Sequence, residues 1–146
     1  MDEFIAALDK ACSDYRQDVR TFLDKSRPTD GLLGFGRSLK DDSCHDRFDK
    51  ALEQAVNLLA QGGPSPDDAQ QAIRMLLSLD MQDQPEAVQW MLRAVERHCL
   101  VLVPFLSSDA AGTLYREYAK RYRPWDRLPV QKQLLQALKG AAGQGK

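Results

Sequence analysis

Between Pro85 and Leu106 the polar residues gather on one side of a helix. Glu86, Gln89, Arg93, Glu96 and Arg97 share a stripe about 100° wide at about 3.6 residues per turn. The rest of the circumference is apolar: Ala87, Val88, Trp90, Met91, Leu92, Ala94 and Val95, then Cys99 through Val103. A helix that is apolar on most sides needs neighbours on most sides. The segment is too short and too charged for a membrane span, which takes about 20 apolar residues. It therefore predicts a central buried helix over 85–103 in an all-α bundle. Pro104 lacks the N–H that would bond Leu100, so this helix should kink or stop near Val103.

Helical spacing marks the companions. Phe4, Leu8, Cys12, Tyr15, Val19 and Phe22 step by three or four and predict a helix over 2–25. A second runs over 44–61, with Phe48, Leu52, Ala55, Val56 and Leu59 inward. Ser43, with Asp46 three residues on, resembles a capping box at its start, and Gly62-Gly63 stop it. Ser65-Pro66-Asp67-Asp68 opens a third helix, with Ala69, Ala72, Ile73, Leu76 and Leu77 inward. Ser107-Ser108-Asp109 caps another over 109–122, where Glu117 and Arg121 stand in the favourable order for an ion pair. There Ala111, Leu114, Tyr115, Tyr118, Ala119 and Tyr122 share the inner side, and Gly112 marks close packing. Pro129 opens the last helix, with Val130, Leu134, Leu135 and Leu138 inward. The expectation is one domain over 1–139, five to six mostly antiparallel helices, and a flexible tail over 140–146.

Charge changes the picture of partners. Residues 1–112 hold 12 Lys and Arg against 19 Asp and Glu, whereas residues 113–146 hold 8 against 2. The chain is bipolar, which bears on association rather than fold. The cysteines, Cys12, Cys44 and Cys99, are odd in number and form no CxxC pair. Free thiols in a reducing compartment are expected, and the acidic amphipathic start lacks the form of a signal peptide. The expected location is the cytoplasm, with no membrane association.

Two stretches stand out as candidate binding surfaces. Leu32, Leu33 and Phe35, set among Gly31, Gly34 and Gly36, are too apolar for an idle loop. They fold back as a lid over the core or present a patch to a partner. GLLGFG is not GxGxxG and follows no strand, so it does not read as a phosphate loop. The second stretch interleaves Tyr115, Tyr118, Tyr122 and Trp125 with Arg116, Lys120, Arg121, Arg123, Arg127 and Lys132. Rings that stack on bases beside cations that track phosphates suit single-stranded nucleic acid. The same tyrosine spacing suits a core stripe with solvated cations around it.

Catalytic chemistry is sparse. Cys44-His45 and His98-Cys99 supply the ligand types of tetrahedral zinc, but adjacent residues are poorly placed to share one ion. Cys44 near a helix N-terminus is a candidate activated thiol beside His45. The acids around the second and third helix starts read as dipole partners. No catalytic or metal residues and no cofactor are assigned. The leading expectation is a non-enzymatic helical interaction or adaptor module with a protein partner or a second copy. It uses Leu32, Leu33, Phe35, Tyr118, Tyr122, Trp125, Arg116, Arg123 and Arg127. A nucleic-acid-binding module through 115–132 is the alternative, and a thiol or metal enzyme at Cys44 and His45 the outsider.

Overall fold

Apolar residues spaced for helices, with serine and proline at the helix starts, fold as that spacing demands. The computed structural model describes residues 1–26, 43–79, 95–121 and 129–143. All of its elements are helical: α1 (Asp2–Ser26), α2 (Cys44–Gln61), α3 (Pro66–Leu77), α4 (95–102), α5 (Ser108–Ala119) and α6 (Pro129–Gly143). A 3₁₀ turn, Val103–Phe105, follows α4 where Pro104 removes a donor. No strand occurs among the described residues, and none of their helices is long and apolar enough to cross a membrane.

Residue pairings give the helix directions. Tyr15 meets Phe48, Asp18 meets Arg47, and Phe4 lies by Leu59, so α1 and α2 are antiparallel. Gly112 faces Ala142 while the end of α5 approaches the start of α6, so these two are also antiparallel. Arg74 pairs with Glu117 and Leu77 with Arg121, so α3 and α5 run parallel. One apolar cluster joins α1 through α6, from Phe4, Leu52 and Ile73 to Leu102, Leu114 and Leu138. Burying each such side chain contributes about 1.5–3 kcal/mol.

The described part of the central helix sits where the polarity pattern placed it, with two corrections. Val95, Cys99 and Leu102 are buried as expected. Glu96, assigned to the outward stripe, has 0% exposure, and Val101, assigned inward, has 41%. Arg97 and Val101 lie four apart on an exposed face, from which Arg97 reaches Asp49 of α2, while Glu96 turns toward α5 and α6. Residues 85–94 lie outside the described residues.

Smaller differences have local causes. In α1 the buried stripe is Phe4, Leu8, Ala11, Tyr15 and Val19, with Cys12 half-buried at its edge. Ser43 has φ −67° and ψ −10°, and its side chain caps nothing. A helical backbone turns the Oγ away from the free N–H groups, and it accepts from Arg47 Nη1 at 2.8 Å instead. Glu117 does not pair with Arg121, because Arg74 of α3 takes the carboxylate and Arg121 donates to the Leu77 carbonyl at 2.7 Å. The last helix continues through Gly143, beyond the start expected for the tail, since Ala141 and Ala142 are strong helix formers.

Candidate functional site

Three polar groups join the helices, two inside the bundle and one, around Asp49, at its surface. At the start of α2 the Tyr15 hydroxyl and His45 Nδ1 share a hydrogen bond of 2.7 Å, with Cys44 Sγ 4.0 Å from the same nitrogen. Tyr15 stacks on Phe48 with centroids 4.3 Å apart and meets His45 edge-on. Burial pushes the Tyr15 phenol up, with the neighbouring Cys44 adding to it. Cys44 has 0% exposure and His45 3%, so the thiol expected at an accessible helix start faces the interior.

The second group joins α2 to α4. His98 donates from Nε2 to Asp49 Oδ1 at 2.7 Å, and Arg97 donates to the same oxygen. The third joins α4, α5 and α6. Glu96 Oε1 accepts from Gln131 Nε2 at 3.3 Å. Burial pushes the Glu96 carboxyl up, and the Tyr118 hydroxyl, Gln131 and Arg121 pull it partly back. Burial likewise raises the Cys99 thiol, with Glu96 adding to the effect. Among the described residues no group of three His, Cys, Asp or Glu side chains converges as a metal shell would. Apart from Cys44–His45 within α2, these hydrogen bonds tie one helix to another.

Of the predicted binding residues, Tyr118 and Arg116 are described. Tyr118 has 2% exposure. Its position on the Ala111–Leu114–Tyr118 stripe turns the ring toward α4, as in the core-stripe alternative. It contributes only to the floor of a 140 Å³ hollow whose rim Arg74, Glu117 and Arg121 already occupy with one another or with backbone. Arg116 is exposed and reaches Thr113 Oγ1 at 3.4 Å. Leu32, Leu33, Phe35, Tyr122, Trp125, Arg123 and Arg127 lie outside the described residues.

The surface feature that sequence reasoning missed is a groove along the outer side of α1 and α2. Three hollows make it. The first, of 300 Å³, lies beside Tyr15 and Phe48 under the Asp18–Arg47 pair. The second, also of 300 Å³, is floored by Ala7, Ala11, Ala51 and Ala55. The third, of 380 Å³, lies between the start of α1 and the Gly62-Gly63 turn. The first two share Ala11, Asp14 and Ala51, and the last two share Leu58, so the three hollows adjoin in a row. Along α2 it runs from Arg47 past Gln61, about 21 Å at about 1.5 Å per residue. Leu58 stands in it with 46% exposure. The signal was present as alanines at i and i+4 on both helices, Ala7 and Ala11, Ala51 and Ala55, of which only Ala55 was placed, on the inward face, because small residues fit either role. Gly63 has φ of 66°, which lets the chain turn sharply and leave the third hollow open.

No protein-family model, curated protein or solved structure matches this chain.

Proposed function

We propose that this protein is a non-enzymatic interaction module that docks one amphipathic helix in the groove between α1 and α2. The row of adjoining hollows along α1 and α2, alanine-floored at its middle and with Leu58 exposed in it, carries the reading. Small residues keep the floor low, so a partner backbone can approach closely and set apolar side chains into successive hollows. That is the helix-in-groove mode of recognition, with anchors at i, i+4 and i+7. A groove of this length takes a helix of about 14 residues. The interior placement of both histidines and of Cys44 supports a binding role over a catalytic one. The free thiols of Cys12, Cys44 and Cys99 suit a reducing, cytoplasmic setting.

A neutral helical peptide of about 16 residues with one leucine stripe is the probe. Titrated into isotopically labelled protein, it should shift the amide signals of Ala7, Ala11, Ala51 and Leu58 together. Leu58→Asp, a change at an exposed site that spares the fold, should weaken binding about tenfold. Shifts scattered over the molecule, or an unaltered affinity in the Leu58→Asp protein, would refute the docking role.

A further inference from the structure

We infer that the groove selects a partner helix that carries its cationic residues at one end, and that this end lies against Asp2, Glu3 and Asp68. The inference rests on the helix-docking reading and adds the charge and direction of the occupant. It follows from how charge is spent along the groove. At the Tyr15 end the rim is neutralised within the chain: Arg47 stands 3.2 Å from Asp18, and Lys10 stands 4.0 Å from Asp14. At the Gly62-Gly63 end three acids line the hollow together with Met1, whose α-ammonium is the one cationic group there, so the lining keeps a net negative charge. Asp2, Glu3 and Asp68 enter no ion pair among the described residues.

Each of these acids offsets the dipole of its own helix, α1 or α3. Their position does more. Two helix starts from distant parts of the chain converge on one hollow, which continues past Leu58 into the apolar floor. A docked helix thus meets an alanine floor rimmed by the mutually paired Lys10–Asp14 and Arg47–Asp18 along most of its length, and an excess of negative charge at its last turn. Lysine or arginine there would complement the acids, whereas at the opposite end the same residues would meet an Arg47–Asp18 pair already satisfied within the chain. The gradient selects a direction as well as a sign. A partner that enters with its N-terminus at the acidic end also aligns the positive end of its dipole with them.

The test compares three probe peptides that share the leucine stripe: neutral, three lysines at the N-terminal end, or three glutamates there. At low salt the lysine probe should bind about tenfold more tightly than the neutral one and the glutamate probe more weakly. The preference should shrink toward parity at high salt, as screening requires. A spin label at the lysine end should broaden the amide signals of Gly62 and Gly63 and spare Arg47. The triple variant Asp2→Asn, Glu3→Gln, Asp68→Asn should bind all three probes alike while holding the neutral probe within about twofold. Equal affinity of the native protein for the three probes, or a preference that survives the triple variant, overturns this inference. If the neutral probe still binds the groove in that case, the docking reading stands alone. If no probe binds, both fall.

Discussion

Glu96 has 0% exposure between α4, α5 and α6, yet it carries an ionisable carboxyl. Burial raises its proton affinity, and the Tyr118, Gln131 and Arg121 groups reduce that rise without cancelling it. In the unfolded chain the same carboxyl titrates at its ordinary value, about 4.3. A pKa raised by folding means that the protonated form favours the native state. The contribution is fully present below the ordinary glutamate range and is lost as pH rises through the folded-state value. Glu96→Gln retains a partner for Gln131 and never ionises. Its melting temperature should exceed that of the native protein at neutral pH, with the gap closing below the ordinary glutamate range. Thermal unfolding of both proteins across pH reads this directly. A variant that melts lower at every pH would mean that the carboxylate is held as an ion by Arg121.

Among the elements, two helix starts that look alike in sequence behave differently. Ser65 has an extended backbone and accepts from the Asp68 N–H at 3.1 Å. Ser43 has a helical backbone and makes no cap. Removal of a true N-cap costs about 1 kcal/mol. Chemical denaturation should therefore show Ser65→Ala less stable by about that amount and Ser43→Ala nearly neutral, since the exposed Arg47 contact it loses is worth little. If both variants lose equally, the Ser43 backbone is not as described. The contrast shows what was legible in the chain. Helix positions came through because apolar spacing and Ser-Pro starts are local properties, as Ala69 through Leu77 illustrate. Partners came through poorly, because they are set by elements far off in sequence. Gln131 is 35 residues from Glu96, and Arg74 is 43 from Glu117, so neither local polarity nor i,i+4 spacing could find them. The groove was hidden for a related reason. Alanine is compatible with both a core seam and an open floor, and only the packing of α1 on α2 decides which.

At the scale of the whole molecule, the thiols report on whether the helices open together. Cys44 begins α2 and Cys99 lies in α4; both have 0% exposure within the same apolar cluster, while Cys12 is half-buried at its edge. Burial raises the Cys12 and Cys99 thiols above their ordinary value, which slows alkylation beyond the effect of access alone. A native domain of ordinary stability keeps its unfolded fraction at about 10⁻³ or less. Under native conditions Cys12 should therefore label first with an alkylating reagent. Cys44 and Cys99 should follow at least a hundredfold more slowly, at rates that give one common opening free energy. Mass spectrometry of the three tryptic peptides over time measures all of this in one experiment. If Cys44 labels well ahead of Cys99, α2 separates from α4 before the rest unfolds. The Asp49 contacts to Arg97 and His98 would then be too weak to couple them, and a groove built on α1 and α2 would rest on a unit that moves by itself.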